Sequence, residues 1–321
     1  VNSQLPKHQL TKSKILYTNS SVTYLPIDTQ RVNHVVPTDF LNKIIHGDCQ
    51  TVLAQLPSQC IDLIITSPPY AEKRKTSYGG IKADEYVGWF IPITQELKRV
   101  LKPTGSFVLN IKEPAIDGER HTFVIELILE LRRQGWFWVE EYCWHKKNCF
   151  PGKWPNRFRD SWERCLHFTL NKKFAMYQEA VMVPSGKWQD KRLKNLGKSD
   201  AQRNKSTTAS GLSRKVANWL TRDMAYPTNV LHLATECTNR GHSAAFPIDL
   251  ASWFIKLFTQ PNDVVLDPFI GSGTTAIACQ DLNRNFIGVE IDKKYCELSY
   301  QALELGINQN IQENLDKQNI C

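Results

Sequence analysis

The sequence predicts an α/β protein: a doubly wound, mostly parallel sheet with an antiparallel hairpin, flanked by helices and joined to a smaller basic region. Three observations predict it. The β-branched run Ile61-Asp62-Leu63-Ile64-Ile65 ends abruptly at Thr66-Ser67-Pro68-Pro69-Tyr70, as a buried strand closed by prolines does. A second apolar run, Val264-Val265-Leu266-Asp267, enters a turn containing Gly271 and Gly273 and then a helix-compatible segment. From Phe40 to Thr66 a strand-like, a helix-like and a second strand-like stretch follow one another, which is the βαβ rhythm of a parallel sheet.

Residues 1–39 are polar, without a clear period, and are expected to form an extended arm. Phe40 to His46 predicts a short strand, ended by Gly47-Asp48-Cys49 in a turn that sets a carboxylate at the sheet edge, and Thr51 to Leu56 fits a short helix. After the strand Ile61 to Thr66 comes a basic, glycine-ended loop over 71–80, placed to close over a strand of nucleic acid. Val87, Phe90, Ile93, Leu97 and Val100 predict a helix over Tyr86 to Val100, stopped by Leu101-Lys102-Pro103-Thr104-Gly105 before a buried strand over Ser106 to Ile111. A helix over His121 to Arg133 carries Val124, Ile125, Ile128, Leu129 and Leu131, and Trp136 to Trp144 predicts a further strand or hairpin. The stretch 185–213 has few large apolar residues and is expected to be a mobile loop without its own core. His242 to Pro247 introduces a helix whose buried stripe is Leu250, Phe254, Leu257 and Phe258. Then follow a strand over Asp263 to Asp267, a helix over Thr274 to Leu282, a strand over Asn285 to Glu290 and a helix capped by Asp292 and running to about Leu305.

The chain has 321 residues, enough for a sizeable core. No run of eighteen apolar residues and no basic-then-apolar leader is present, so a cytoplasmic protein without a membrane partner is expected. Nine cysteines without a Cys-x-x-Cys pair argue against a disulfide framework and against a bound metal. The formal charge of +8 is regional: residues 151–232 hold sixteen Lys/Arg against six Asp/Glu. Trp154, Phe158, Trp162, Trp188, Trp219 and Tyr226 lie among those charges, and basic residues interleaved with aromatics favour a nucleic-acid surface over a merely solvated face.

Pro68 and Pro69 lack N–H donors and fix φ, so the carbonyls of Ser67 and Pro68 are not drawn into a continuing helix or ladder. With the Ser67 hydroxyl and the Tyr70 ring they suit a flat ring carrying an NH2 group, the edge of a nucleobase. The second motif suits an adenosine-bearing cofactor: a strand, a Gly-x-Gly turn, a helix, and Glu290, 19 residues after Gly271, at the end of the next strand. A phosphate-binding Gly-Lys-Thr/Ser loop is absent, and Ala276 stands where a dinucleotide fingerprint has its third glycine.

Asp267-Pro268-Phe269-Ile270-Gly271-Ser272-Gly273-Thr274-Thr275, preceded far upstream by Thr66-Ser67-Pro68-Pro69-Tyr70, resembles the S-adenosylmethionine-dependent DNA amino-methyltransferases. The order of catalytic motif, basic region and cofactor motif is similar to their β class, whose Rossmann-like fold it implies. Gly47-Asp48, Leu101 to Ser106, Trp144-His145-Lys146 and His242 to Pro247 extend the resemblance over about Phe40 to Leu305; many members have proline where this chain has Ser243. The resemblance implies a catalytic half over 40–150, a target-recognition region over 151–232, a cofactor-binding half over 233–305 and a polar tail over 306–321. It further implies that S-adenosyl-L-methionine sits against Gly271 and Gly273, with Thr274 and Thr275 at its carboxylate and Asp267 at its amino group. Phe269 and Ile291 would flank the adenine, Glu290 would hold the ribose, and Asp48 with Cys49 would read the adenine edge.

The catalytic residues implied are Ser67, Pro68, Pro69 and Tyr70. An exocyclic amine is a poor nucleophile because its lone pair is delocalised, and acceptors that hold its N–H groups toward a tetrahedral shape localise it. The target base must leave the duplex, with Tyr70 as its stacking partner. Methylation at cytosine C5 would need a Pro-Cys dipeptide, which is absent. Ser before the proline pair resembles the cytosine-N4 subgroup, whereas Asp or Asn is commoner among adenine-N6 enzymes. The expectation is therefore a cytosine-N4 methyltransferase acting on double-stranded DNA, paired with a restriction endonuclease. The alternatives are an adenine-N6 enzyme, an RNA or protein methyltransferase, and a binding protein that has lost activity.

Overall fold

Apolar residues on consecutive positions of the inner strands fill two cores, one on each side of a sheet. Ile61 and Ile64 pack into one and Leu63 and Ile65 into the other; Phe107 and Leu109 are divided in the same way from Val108. Strands buried on both faces are what helices on both sides of a sheet require. The computed structural model describes residues 36–73, 80–149, 152, 155–185, 223–235 and 246–304. Most of the polar arm, loop residues 74–79, the bulk of the 185–213 loop, His242 to Ala245 and the tail lie outside the described residues.

The strands are β1 (Lys43–His46), β2 (Ile61–Thr66), β3 (Leu101–Ile111), β4 (Ala115–Ile116), β5 (Glu119–Arg120), β6 (Phe137–Lys146), β7 (Trp162–Thr169), β8 (Val183–Pro184), β9 (Met224–Ala225), β10 (Val230–Leu233), β11 (Val264–Asp267) and β12 (Asn285–Glu290). The helices are α1 (Cys49–Leu53), α2 (Tyr86–Val100), α3 (Phe123–Arg133), α4 (Ile248–Phe258), α5 (Thr274–Asp281) and α6 (residues 293–304). Eight strands form one sheet in the order β1-β12-β11-β2-β3-β7-β6-β10, with β4–β5 and β8–β9 as separate two-stranded ribbons. Pairing is parallel except at β7, which runs antiparallel to both β3 and β6. This is the predicted fold class, with β6 and β7 as the hairpin.

Residues of α1, α2 and α3 fill one core and those of α4 and α5 the other. The stripe predicted for α4 is buried in full, with Ala251 and Ile255 added. In α3 the expected stripe is corrected: Phe123, Val124, Leu127, Ile128 and Leu131 are buried, while Ile125 and Leu129 are more than half exposed. Those two lie one turn apart on the face turned from the sheet. Helix α1 starts two residues before its predicted beginning because Asp48 caps it, accepting a hydrogen bond from Thr51 N at 3.1 Å. The first strand is shorter than expected, since 38–42 are turns. Pro247 is the N-cap of α4, at the start of the helix that His242 to Pro247 was expected to introduce.

The largest departure is β7. Trp162 to Thr169 belongs to the basic stretch 151–232, yet it is an inner strand of the sheet. Its polar residues Glu163 and His167 are buried, and His167 Nε2 is 3.0 Å from Ser106 Oγ.

Asp62 ties β2 to both neighbours: its carboxylate receives Lys102 Nζ at 2.7 and 2.8 Å and Val264 N at 2.9 Å. Beside it the chain can only be glycine without a shift. A Cβ at Gly105 would lie 2.8 Å from the Asp62 carbonyl oxygen and 2.6 Å from Leu101 Cδ1. Gly105→Ala is expected to lower stability by about 1–3 kcal/mol, read from the midpoint of urea unfolding.

Candidate active site

Strand β2 continues outward through the sheet to β3, and β11 continues the other way to β12, so the connections diverge between two neighbouring strands. The crevice outside the carboxyl ends at such a switch point is where open α/β sheets bind ligands. From β2 it receives Ser67 to Tyr70, and from β11 it receives Pro268 to Gly273.

Asp267 joins the two loops. It is 1% exposed, and its Oδ1 accepts from Thr66 Oγ1 at 2.6 Å and from Phe269 N at 3.1 Å, while Oδ2 accepts from Thr275 Oγ1 at 2.6 Å. Burial pushes its carboxyl up to about 6, against these three hydrogen bonds, which lower it; the nearby Glu290 adds to the rise. The next turn is shaped by Glu290, whose carboxylate accepts from Gly271 N at 3.0 Å and Asp292 N at 2.8 Å. Gly273 caps α5 with φ of 87°, and a Cβ there would come within 3.1 Å of Ser299 Cβ. Ser299 itself donates to the Gly271 carbonyl at 2.6 Å.

Around these loops lies a cavity of about 640 Å³. Of the sequence-predicted residues it brings together Asp48, Cys49, Ser67, Pro68, Pro69, Tyr70, Phe269, Gly271, Glu290 and Ile291 in one lining. Asp267, Gly273, Thr274 and Thr275 are not part of that lining: the hydroxyl of Thr275 donates instead to the carboxylate of Asp267. Sequence reasoning did not single out His46, Trp89, Ile93 and Lys293, which also line the cavity. Trp89 stands one residue before Phe90 of the predicted α2 stripe, and its ring centroid lies 5.8 Å from that of Phe269. Cys49 has its thiol pushed up to about 12, by burial first and then by Asp48, so it is a neutral wall and not a thiolate.

On the β2 side, the Tyr70 hydroxyl donates to Glu163 Oε2 at 2.6 Å, with Asn110 Oδ1 at 3.3 Å. Glu163 also meets Lys146 Nζ at 2.5 Å, and that ammonium sits 5.1 Å from the Trp144 ring centroid. Thus the ring of Tyr70 faces the cavity while its oxygen is anchored in the hairpin β6–β7. Next to this cluster Lys112 lies 4.4 Å from the centroid of the Trp162 ring.

A family model for DNA methylases that modify N6 or N4 amines matches residues 61–301, from β2 through α6. The chain belongs to the N6/N4 DNA methylase family. Over 284 residues it is 31% identical to the type II methyltransferase M.BglII of Bacillus subtilis, covering 84% of this chain and 72% of that protein. Among solved structures it is similar to the PvuII DNA methyltransferase, described as cytosine-N4-specific, with a TM-score of 0.61 and 25% identity over 80% of this chain and 84% of that one. A Thermus thermophilus protein described as a DNA modification methylase, solved with S-adenosyl-L-methionine, shares the fold at a TM-score of 0.53 and 23% identity, covering 82% of this chain and 93% of that one. The family groups cytosine-N4 and adenine-N6 enzymes, so membership gives an exocyclic amine as target without choosing the base.

The Asp267 cluster has a measurable signature. Because folding raises this carboxyl from 3.8 to about 6, the folded state binds the proton more tightly than the unfolded one between those values. The contribution of Asp267 therefore weakens stability as pH rises through that window, by about 3 kcal/mol in total. Denaturant unfolding of wild type and Asp267→Asn across the window is expected to show the wild type losing stability relative to the variant as pH increases.

Proposed function

We propose that this methylase transfers a methyl group from S-adenosyl-L-methionine to the exocyclic N4 of a cytosine flipped out of duplex DNA, as the modification enzyme of a type II restriction–modification system. The observation that carries the reading is Ser67: a hydroxyl directly before two prolines, lining the same cavity as Glu290 and Gly271. The type II relatives support the biological setting, and the basic, aromatic-rich stretch around β7 supports duplex DNA as partner.

The cavity's donor set fits the cofactor. Glu290 is a carboxylate suited to ribose hydroxyls, Phe269, Ile291 and Trp89 are apolar walls suited to a flat ring, and Gly271 leaves bare backbone beside them. The cofactor, when bound, supplies an electrophilic methyl group on a sulfonium centre. Asp267 braces the loop that receives it rather than lining the cavity. Ser67 Oγ, with the backbone carbonyls beside the prolines, accepts the amine N–H bonds and draws the nitrogen lone pair out of conjugation. Tyr70 offers its ring to the extruded base, and Trp89 and Ile93 keep water from that side. Catalysis is positioning and preorganised electrostatics, with one amine proton released to solvent after transfer.

Incubation with labelled S-adenosyl-L-methionine and mixed-sequence duplex DNA, followed by digestion and mass spectrometry of the nucleosides, is expected to yield N4-methylcytosine. N6-methyladenine would overturn the choice of base and keep the amine chemistry. Ser67→Ala is expected to slow turnover by about 10²–10³ while cofactor affinity, measured by titration, stays within about twofold. Equal loss of both would remove Ser67 from the chemistry. Gly273→Asp is expected to abolish cofactor binding and leave DNA binding in gel-shift assays largely intact.

A further inference from the structure

Among the described residues, large apolar side chains that reach the surface are about half covered, with one exception. Phe158 is 96% exposed, and the next most exposed, Ile125, is at 57%. Single exposed apolar residues are common on any protein surface. A phenyl ring that keeps nearly all of its surface in water is a different case, because folding gains nothing from burying it.

Phe158 sits midway in a short loop held from both sides against one ribbon. Two residues before it, Asn156 lies at the β4–β5 turn, where a Cβ on Gly118 would meet its Nδ2 at 3.4 Å. Two residues after it, the Asp160 carboxylate pairs with Arg120 of β5 and with Lys112 Nζ, the latter at 3.3 Å. The same ammonium donates to the Trp162 carbonyl at 2.5 Å, so the entry into β7 is fixed as well. The backbone is therefore tied down on both sides of a ring that stays in solvent. Arg157 and Arg159 flank that ring in sequence, and Arg159 is itself exposed.

The loop also stands at the working edge of the sheet. Glu163, the second residue of β7, accepts from the Tyr70 hydroxyl at 2.6 Å. Phe158 is only five residues upstream of Glu163. Even fully extended, that stretch spans at most about 18 Å. With base pairs stacked about 3.4 Å apart, the ring is within a few steps of a base held on Tyr70. Extruding a base leaves a gap in the stack, and an apolar ring presented from a fixed backbone between cations fits that gap and the phosphates around it.

We propose that Phe158 is a wedge that enters duplex DNA at the target step and fills the space the extruded base leaves, holding that base out, with Arg159 on a neighbouring phosphate. The inference rests on the reading of an extruded base given above and holds for either amine. A wedge matters most when the target is firmly paired. A mispaired base leaves the stack at lower cost, so the ring has less to supply.

The methylated site is mapped first, by sequencing mixed-sequence DNA after reaction with the wild type. Single-turnover methylation is then compared on two duplexes carrying that site, one with the target base paired and one with it mispaired, and cofactor affinity and melting temperature are measured on the same proteins. Phe158→Ala is expected to slow methylation of the paired duplex about tenfold to a hundredfold. On the mispaired duplex it stays within about threefold of wild type, with affinity and melting temperature unchanged. Arg159→Ala is expected to weaken binding to both duplexes alike and to reduce the salt slope of binding by about one. Equal slowing of Phe158→Ala on both duplexes would overturn the wedge. So would a fall in its melting temperature, which would place the ring against its own chain. A wild type that methylates neither duplex yet acts on RNA would sink the parent reading. An active wild type beside an equally active Phe158→Ala on the paired duplex would sink the wedge alone.

Discussion

One buried carboxylate holds the two halves of the site in register. Asp267 has no exposed surface to speak of, and each of its contacts comes from a different part of the crevice: Thr66 from the end of β2, Phe269 from the loop that follows β11 and Thr275 from the first turn of α5. Removing an ionisable group from water is costly, and here three donors offset part of that cost. What results is a fixed distance between the loop that meets the amine and the loop that shapes the cofactor side. Parallel pairing of β2 with β11 brings the loops close; Asp267 makes their separation specific.

The hairpin β6–β7 supplies the complementary constraint from the other side. Through Glu163, itself held by Lys146, it grips the Tyr70 oxygen, with Asn110 of β3 beside it, and leaves the ring facing the cavity. The antiparallel strand of the main sheet therefore has a chemical purpose as well as a topological one. Running against β3, it brings the first residues of β7 to the edge where the parallel strands end. A parallel strand there would carry its first residues to the opposite edge.

Much of this was legible in the sequence. The runs that became β2, β11 and α4 show unbroken periodicity, and the Gly-x-Gly turn and Glu290 mark their own places. The stretch that became β7 did not announce itself, because Glu163, Arg164 and His167 interrupt its apolar pattern. Those residues are buried or half-buried on account of partners distant in the chain: Glu163 meets Lys146, and His167 meets Ser106. The bracing role of Asp267 was hidden for the same reason. The family resemblance implies a ligand for the cofactor's amino group, and only the fold shows Thr66 beside it, 201 residues away in sequence. Local pattern reveals elements; pairings between distant polar residues emerge only when the sheet order is known.

The ribbon β8–β9 brings a different kind of freedom. Its strands pair antiparallel, Val183 with Ala225 and Pro184 with Met224, and Ser185 N donates to the Asp223 carbonyl at 2.8 Å. The chain thus departs at Ser185 and returns at Asp223 through a closed neck, and the long basic segment between them has its ends tied by the scaffold. A segment anchored in this way can be exchanged, lengthened or shortened without altering the strand register on which the cavity depends. The neck therefore uncouples the length of the insert from the geometry of the chemical core.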